Sequence, residues 1–505
     1  MIWLAMLLAG SGRPAWSRDE AATAMVVRRP LAQVWRSWAF DPALEPFYLL
    51  INLWAEVSTS EFWLRLPPVM ATAATLPVLA TLTSRFCAPP AGILAALLFV
   101  LLPAASRYGQ EARPYALTML VATAVVLSWV TDRAVRGWAV QLRLVVLLVA
   151  LGLLHAYALV LVLVLLTVAL VAPETDRRQE VAAVLRTGAL TLLALSPFLW
   201  FLIHDAVGDP HPAGLTPVNV AVELLRLPVG VLRPPAAPVF GAAAWALAIC
   251  GVIVGWRRGG PARSGAVLAA SWLVIPPAAL GLGQAATDAP GLVARYWTHS
   301  LPAIGLAGAF VLQAVWSRRR VVAATLLIVV GFLGLPTQLA IRSAQGHADQ
   351  GWRAIAALLL QPELSGAAVL VEGSVYRTLV ANEPGLAGRM PLIVEPAPSG
   401  RIHPQIAGPA SAQFRSMVTT YDVAVLLHNR QTPLTATPTL GDFAAFRAER
   451  GVFARPALMC TFFGDPLGIV TKPSAPLTPS QVQHLGRVIT EIDPQQVRCV
   501  AHEGR

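Results

Sequence analysis

Charged side chains are scarce in this sequence, and their scarcity excludes an ordinary soluble protein. They make up 13% of the 505 residues, whereas 56% of the residues are hydrophobic. An average soluble domain is about 25% charged. Apolar runs without charge recur along the chain, and about 20 such residues form one membrane-spanning helix. The sequence therefore predicts a polytopic α-helical membrane protein.

The sequence also contains few lysines and cysteines, and it contains no nucleotide-binding motif of the two common kinds. Lys472 is the single lysine, so arginine carries the net charge of +11. The chain has neither a Walker A motif nor a Rossmann glycine fingerprint, so neither kind of nucleotide site is predicted. The four cysteines show no metal-ligand spacing. Cys460 and Cys499 share the C-terminal tail, where they either pair in an oxidising compartment or stay as two buried thiols.

The arginines between the apolar runs indicate the topology. The apolar runs lie near residues 64–84, 91–105, 115–130, 144–171, 187–203, 239–256, 265–286, 299–316 and 321–341. Basic loops lie at residues 85, 133–143, 177–186, 257–263 and 318–320. Cytoplasmic loops carry an excess of Arg and Lys, so the loops explain the basic net charge and no nucleic-acid partner is implied.

The apolar run at residues 144–171 is longer than one membrane-spanning helix. Residues 144–171 have basic loops at both ends, so we expect two short helices that break at His155-Ala156-Tyr157 on the outer side. The scheme then gives about eleven crossings with the C-terminus outside.

Residues 1–11 lack a basic n-region and a cleavage site, which argues against a signal peptide. Either the first helix is short and shallow, or the true start lies upstream.

Two large segments are predicted outside the membrane. Residues 12–62 read as two amphipathic helices, and within 43–57 Phe47, Leu50, Ile51 and Trp54 form a stripe suited to the bilayer interface. In the tail, strand-length runs alternate with helical stretches. The strands are predicted at 367–371, 391–394, 423–427 and 468–471, and the helices at 352–360 and 443–449. We therefore divide the chain into a transmembrane domain, 1–341, with its outer catalytic loop at about 12–62, and an extracytoplasmic α/β domain, 342–505.

Two arginines and a glutamate stand between apolar runs at residues 106–115. Arg107, Glu111 and Arg113 lie at the predicted outer mouth of a membrane helix. Charge at a bilayer boundary is costly unless it is paired, hydrated or used. Two guanidinium groups beside a carboxylate suit a site that binds phosphate and keeps an acid nearby. Interfacial anchoring of the helix ends is the competing interpretation.

Acidic side chains occupy the first outer segment. Asp19 and Glu20 follow the first apolar run, and Asp41 and Glu45 return the segment towards the membrane. Carboxylates at a helix N-terminus are explained equally well as caps. The functional interpretation is a general base, because adjacent acids can raise each other's pKa and accept a proton from a hydroxyl.

Several arginines lie on the predicted outer side, where the positive-inside rule does not place them. They are Arg107, Arg113, Arg226, Arg233 and Arg295. A lipid-phosphate ligand in the outer leaflet would require arginines at such positions.

Four motifs at these residues resemble the bacterial GT-C glycosyltransferases, close to the protein O-mannosyltransferase and aminoarabinose-transferase branch. Residues 16–21 resemble the aromatic-x-x-Asp-Glu-small motif of the first periplasmic loop, and residues 41–54 the Pro-Pro-Leu-Tyr-Tyr-type segment. Residues 106–115 resemble the Tyr-Ser-Gln-Glu-Ala-Arg-x-Tyr-like segment, and Arg295-Tyr296 the Arg-Tyr motif of a late outer loop. The motifs are individually weak and collectively specific over about the first 360 residues.

Smaller elements extend the resemblance, and one departs from it. His155-Ala156-Tyr157 is similar to a His-Tyr element of the family, and residues 351–353 are similar to the start of its C-terminal domain. Where members commonly have His-Pro-Pro, this chain has Leu44-Glu45-Pro46. The metal or acceptor role of that histidine is therefore not carried over, and Glu45 is its candidate replacement.

The resemblance implies a GT-C-like fold and an inverting glycosyltransferase. The sugar, mannose or arabinose-like, would move from a polyprenyl-phosphate donor to an acceptor hydroxyl at the outer face of the cytoplasmic membrane. Asp19 is the implied general base, with Glu20 as its neighbour and fallback. Arg107, Arg113 and Arg295 are implied ligands of the donor phosphate. The candidates for contact with the substrates are Asp41, Glu45, Tyr48, Tyr108, Glu111, Tyr115, His155 and Tyr296.

The resemblance leaves the metal, the acceptor and two other functions open. A divalent metal is compatible with such a site, and nothing in the sequence requires one. The acceptor is a protein, a lipid or a glycan. A transporter would carry charge within its spans, and the apolar runs here are nearly free of charge. A catalytically silent scaffold that binds cell-wall polymer would keep the helices and tolerate the loss of Asp19.

Overall fold

A computed structural model shows two compact units. It describes residues 7–36, 43–132, 137–205, 215–231, 235–287, 291–343, 346, 352–372, 392–393, 405–406, 421–428, 455–462, 465–472, 474–492 and 497–501. The first unit, which we call the helical unit, comprises Met1–Arg13 and Val34–Ser343. The second, the α/β unit, comprises Pro14–Gln33 and Ala344–Arg505. The domain boundaries predicted from the sequence stay predictions, and the contacts group residues 14–33 with the C-terminal tail.

Helices dominate up to residue 341. In chain order they are α1 (Arg18–Val26), α2 (Leu31–Arg36), α3 (Glu45–Ala55), α4 (Glu61–Ser84), α5 (Pro89–Leu101), α6 (Pro103–Gly109), α7 (Tyr115–Thr131), α8 (Trp138–Leu154), α9 (Leu161–Val171), α10 (Arg177–Asp205), α11 (Pro217–Val229), α12 (Ala236–Arg258), α13 (Gly260–Thr287), α14 (Leu301–Trp316) and α15 (Arg320–Ile341). Two 3₁₀ helices, Ala156–Val160 and Ala294–Ser300, precede α9 and α14.

Six helices in the described part of the chain are long and apolar enough to cross a membrane. They are α4, α10, α12, α13, α15, and α14 together with the 3₁₀ helix before it. The pair α5 and α6, bent by 69°, adds a seventh if it counts as one span. Three shorter apolar helices lie at Tyr115–Thr131, Trp138–Leu154 and Ala156–Val171. The polytopic helical architecture is as expected, and the number of eleven crossings stays a prediction.

Two breaks in the apolar helices position the motif residues. The break predicted at residues 155–157 is confirmed, because α8 ends at Leu154 and His155 is extended before the 3₁₀ helix begins. The second break is at Leu102, which is also extended and precedes Pro103. A residue before proline disfavours the helical conformation. The chain therefore bends at Leu102, and α6 carries Arg107 in its last turn.

Small residues pack the interior of the helical unit. The largely buried α14 contacts α5, α12 and α13. A Cβ atom on Gly251 would lie 1.9 Å from the Ala307 carbonyl oxygen, and one on Gly305 would lie 2.9 Å from the Ala95 carbonyl oxygen. Glycine and alanine let the backbones of membrane helices approach closely. These contacts fix the core helix that begins just after Arg295-Tyr296.

In the described residues of the first outer segment there are three helices, α1, α2 and α3, where two were predicted. Pro30, which stands between α1 and α2, separates them, since proline cannot continue the hydrogen-bond ladder of a preceding helix. In α3 the predicted apolar stripe divides between two faces. Phe47 and Ile51 are buried, whereas Leu50 is 47% exposed. One face of α3 therefore packs inward, and another is available to the bilayer interface.

The α/β unit contains a mixed sheet. Besides α1, the α-helices and strands described in this unit are α16 (Trp352–Leu359), β1 (Ala368–Glu372), β2 (Leu392–Ile393), β3 (Gln405–Ile406), β4 (Val423–His428), β5 (Arg455–Phe462), β6 (Asp465–Thr471), α17 (Pro479–Ile492) and β7 (Val497–Ala501). The five-stranded sheet has the order β1-β4-β6-β5-β7. Strands β1 and β4 are parallel, and the other neighbours are antiparallel. The strands β2 and β3 form a separate antiparallel pair.

The core of this unit includes residues from the first outer segment. Ala15 and Met25 belong to one apolar cluster with Leu358, Val425 and Ile469. The predicted strand runs fall on β1, β2, β4 and β6, and the first predicted helix falls on α16. The helix predicted at 443–449 lies outside the described residues. Cys460 and Cys499 face each other in the register of β5 and β7 and form a disulfide.

Candidate functional site

Arg107 and Glu111 form an ion pair at the end of α6. Arg107 Nη1 lies 3.2 Å from Glu111 Oε2, and Nη2 donates to Oε1 at 3.5 Å. Their side chains are 12% and 4% exposed. A buried charge is tolerated when an opposite charge and hydrogen bonds accompany it. The geometry lets Glu111 orient the Arg107 guanidinium group.

Arg113 contacts the first outer segment through Tyr48. Its Nη1 donates a 3.1 Å hydrogen bond to Tyr48 Oη, and both residues are buried. Tyr48 lies on the inward face of α3. Glu45, one turn earlier on the same helix, is fully buried as well. The fold thus brings three of the predicted residues, Glu45, Tyr48 and Arg113, into one region.

Five rings from three segments of the chain form an aromatic cluster, consisting of Tyr108, Tyr115, His155, Tyr157 and Tyr296. Tyr108 meets Tyr115 edge to face with 5.4 Å between ring centroids. The His155 ring lies 6.0 Å from Tyr115, 5.7 Å from Tyr157 and 5.6 Å from Tyr296. Four of the five were predicted to contact substrate, and the fifth belongs to the His-Tyr element. The helix break at His155 and the 3₁₀ helix 294–300 position the two distant members.

Arginine side chains lie close to residues of this aromatic cluster. Tyr108 interacts electrostatically with Glu111 and with the guanidinium groups of Arg107, Arg295 and Arg226. The Arg295 guanidinium carbon lies 5.4 Å from the centroid of the Tyr296 ring, a cation–π distance. Cations grouped around one cluster create a positive potential that favours an anion.

His155 provides a neutral polar group inside the cluster. Burial lowers the pKa of His155 to about 4, and the nearby charges of Arg113 and Arg295 lower this pKa further. The imidazole is therefore uncharged at neutral pH. Its Nδ1 is buried and has no hydrogen-bond partner among the described residues. A neutral imidazole can donate or accept a hydrogen bond, so His155 is suited to a ligand hydroxyl group.

Asp19 and Glu20 lie in α1 and belong to the α/β unit. Ser17 and Glu20 form a capping box, in which the Glu20 N–H donates to Ser17 Oγ and the Ser17 N–H donates to Glu20 Oε2, each at 3.1 Å. The capping interpretation therefore accounts for Glu20, which is fully buried. Asp19 is partly exposed in the first turn. Asp41 lies outside the described residues.

Sequence reasoning missed two residues that hold the arginine segments in place. Arg342 Nη2 donates to Ser106 Oγ at 3.2 Å, and its Nη1 donates to Gln338 Oε1 at 2.6 Å. Glu223 accepts a hydrogen bond from the Ala294 backbone N–H, next to Arg295. In the sequence, the position of Glu223 three residues before Arg226, one of the outer arginines, could have indicated that the two side chains pair.

The described residues contain no group of three or more His, Cys, Asp or Glu side chains that could hold a metal ion. Asp41, a candidate acid, is not among the residues searched. The compatibility of the site with a divalent metal therefore stays a prediction.

Comparison with solved structures identifies the fold. ArnT from Cupriavidus metallidurans in the apo state matches with a TM-score of 0.59 at 12% identity, over 93% of this chain and 95% of that chain. The same protein bound to undecaprenyl phosphate matches with a TM-score of 0.53 at 12% identity, over 94% and 98%. The Archaeoglobus fulgidus oligosaccharyltransferase, in complex with Zn and sulfate, gives 0.48 at 11% identity, over 84% and 68%. No protein-family model and no curated protein sequence matches the chain.

ArnT is an aminoarabinose transferase of the GT-C superfamily. The two ArnT structures cover nearly the whole of both chains. The resemblance to GT-C proteins is therefore confirmed at the level of the fold.

Proposed function

We propose that this chain is a glycosyltransferase that takes its sugar from a polyprenyl-phosphate donor. The observation that carries the proposal is the arrangement of Arg107, Arg113 and Arg295, which come from two distant segments and act electrostatically on residues of one aromatic cluster. Guanidinium groups bind phosphate through paired N–H donors. The undecaprenyl-phosphate complex of ArnT, a protein with this fold, supports the same class of donor.

The aromatic cluster is the proposed site for the sugar. Aromatic faces pack against the C–H surfaces of a sugar ring, while polar groups among them bond to its hydroxyls. The neutral imidazole of His155 and the phenols of Tyr108, Tyr115 and Tyr296 supply such groups. Glu45 and Tyr48 on α3, with Asp41 and Glu111, complete the proposed set of substrate contacts. We propose a hexose or a pentose, mannose or arabinose-like.

The proposed reaction is an inverting transfer with Asp19 as the general base. The Asp19 carboxylate accepts the proton of the acceptor hydroxyl, whose oxygen attacks the anomeric carbon of the donor. The bond between that carbon and the phosphate oxygen breaks, and the electron pair leaves with the polyprenyl phosphate. Arginines stabilise the charge that develops on the departing phosphate. The choice of Asp19 rests on its motif and on Glu20 being engaged with Ser17 in the capping box of α1.

We place the protein in the cytoplasmic membrane with about eleven crossings and with the α/β unit outside the cytoplasm. The disulfide between Cys460 and Cys499 supports this location, because disulfides persist in oxidising compartments. The acceptor is a protein, a lipid or a glycan. A reporter fused after Arg505 is expected to be active outside the cytoplasm, and a cytoplasmic signal would contradict the topology.

The test of the function is sugar transfer by the purified full-length chain from a panel of polyprenyl-phospho-sugars. We expect transfer from at least one donor and a loss of about 100-fold or more in kcat for Asp19→Asn, the scale of general-base catalysis. Asp422→Asn is the matched control, since Asp422 pairs with Lys472 at 3.3 Å in the same unit. Full activity of Asp19→Asn would remove Asp19 from the mechanism. Absence of transfer by the unmodified chain from every donor would favour a silent scaffold.

A further inference from the structure

Helix α11, which no predicted motif includes, contacts both arginine-bearing segments of the outer face. It packs against α6, which carries Arg107, and against the 3₁₀ helix 294–300, which carries Arg295. Thr216 caps its N-terminus by accepting from the Asn219 N–H, and Pro217 occupies its first position. The helix ends at Val229 and is followed by its C-cap Gly230, whose φ of 76° is in the left-handed region. It is therefore a short, defined element between two proposed phosphate ligands.

Glu223 on α11 uses its two carboxylate oxygens for two different partners. Oε1 accepts from Arg226 Nη1 at 2.6 Å, and Oε2 accepts from the Ala294 backbone N–H at 2.7 Å. The first N–H groups of a helix have no acceptor within the helix. A carboxylate at that end is also favoured by the helix dipole. Glu223 thus fixes the start of the 3₁₀ helix at the residue before Arg295, across 71 positions of sequence.

Gly230, at the C-terminal end of α11, packs closely against Arg107. A Cβ atom at Gly230 would lie 2.9 Å from Arg107 Cβ and 3.2 Å from Ala104 Cα. Such distances are too short for two carbon atoms, so any other residue would displace α6 or the end of α11. The positive φ also favours glycine at this position. One short helix therefore contacts Arg107 at its C-terminal end and the Arg295 segment at its centre.

We propose that α11 sets the spacing of the two phosphate-binding arginines, with Glu223 as a positioning residue for Arg295 and Gly230 as its counterpart for Arg107. The inference rests on the proposed function, because it takes these arginines to be ligands of the donor phosphate. Neither Glu223 nor Gly230 is required to contact the donor.

The experiment measures binding of undecaprenyl phosphate to the full-length chain in nanodiscs, together with transfer kinetics. Glu223→Ala is expected to weaken binding about tenfold, the effect of one charge-assisted hydrogen bond. The donor KM should rise by a similar factor while kcat stays within about twofold, since the loss affects binding of the ground state and the transition state alike. Glu223→Gln keeps an acceptor for the Ala294 N–H and should recover most of the affinity. Gly230→Ala should weaken binding independently.

Two controls separate positioning from general destabilisation. Glu180→Ala removes another glutamate that accepts from backbone N–H groups, those of Glu174 and Thr175, away from α11. Thr216→Ala removes the cap of α11 and leaves Glu223 in place. We expect Glu180→Ala to bind as the unmodified chain does, and Thr216→Ala to lower the melting temperature without the tenfold rise in KM.

The outcomes distinguish this inference from the proposed function. If the unmodified chain does not bind undecaprenyl phosphate, the proposed function is contradicted and the spacing role fails with it. If the unmodified chain binds and both Glu223→Ala and Gly230→Ala bind equally well, the spacing role alone is overturned. If Glu223→Ala does not fold, Glu223→Gln and Gly230→Ala decide, and unchanged KM values in both would overturn the inference.

Discussion

Arg113 Nη1 donates a 3.1 Å hydrogen bond to the phenol oxygen of Tyr48, 65 residues earlier in the chain. This contact ties α3 to the segment that carries Arg107 and Glu111. Leu50 and Leu53 on the same helix are 47% and 55% exposed. Helix α3 therefore presents Tyr48 to an arginine and leucines to the surface, a pattern typical of an interfacial helix.

Tyr48→Phe should weaken donor binding with little loss of fold. The variant removes the acceptor of the Arg113 hydrogen bond and leaves the ring in place. Hydrogen bonds to charged groups contribute about 1.5–3 kcal/mol, so we expect the dissociation constant for undecaprenyl phosphate to rise about tenfold. Tyr421→Phe in the α/β unit is the matched control and should bind normally. Equal affinity of Tyr48→Phe and the unmodified chain would show that Tyr48 does not orient a donor ligand.

Arg107 and Glu111 allow stability to be separated from binding. Removing one partner of a buried ion pair typically costs about 3–5 kcal/mol, whereas replacing both by apolar residues is often neutral. Arg107→Met and Glu111→Leu should each lower the melting temperature, and the double variant should recover most of the loss. Donor binding should stay weak in the double variant, because the side chain proposed to bind the donor phosphate is gone. Recovery of binding together with stability would assign Arg107 a structural role only.

The coarse fold could be predicted because its signals are local. Charge-free runs predict membrane helices wherever they occur, and the break at His155 followed from basic loops at both ends of one run. The grouping of Arg107, Arg113 and Arg295 was also predictable, since each lies at a helix end on the same predicted face. A topology scheme predicts that such residues lie on the same side of the membrane, and it requires no knowledge of side-chain packing.

The contacts that set the details leave no periodic signal. The bond between Glu223 and the Ala294 N–H joins residues 71 positions apart, and no period or composition indicates it. The same holds for Ala15 and Met25, which pack into the core of the α/β unit rather than among the membrane helices. Glu20 differs from these, because its capping and catalytic interpretations use the same residue in the same place. The structure distinguishes them through the reciprocal hydrogen bonds with Ser17.

The stability of the helical unit should fall in acid because of His155. Its imidazole is enclosed by Tyr115, Tyr157 and Tyr296, and it senses the charges of Arg113 and Arg295. The folded pKa is about 4, and an unfolded histidine has a pKa of about 6.5. Between these two pKa values the unfolded chain binds more protons than the folded chain does. The free energy of unfolding therefore increases with pH, and the contribution of His155 to it is lost as the pH falls from about 6.5 to 4.

The measurement is the melting temperature in detergent between pH 4 and pH 7, compared with His155→Leu. The variant lacks the titrating group, so its melting temperature should fall less steeply below about pH 6.5. Parallel curves for the two proteins would mean that the His155 imidazole is accessible to water and protonates normally. We also expect no histidine-dependent limb in the transfer rate between about pH 6.5 and 8, since His155 is already neutral there.

The disulfide between Cys460 and Cys499 tests the location of the α/β unit as well as its stability. It closes a loop of 39 residues, for which chain entropy predicts about 4 kcal/mol of stabilisation. The double variant Cys460→Ser with Cys499→Ser should therefore make this unit more sensitive to proteolysis, whereas Cys250→Ser, at a free cysteine, should not.

Labelling of thiols tests the location of the α/β unit. The chain has four cysteines in all. Protein prepared from cells and denatured without reductant should react with two equivalents of maleimide, at Cys87 and Cys250. Reaction at all four would place Cys460 and Cys499 in a reducing compartment and contradict the proposed topology.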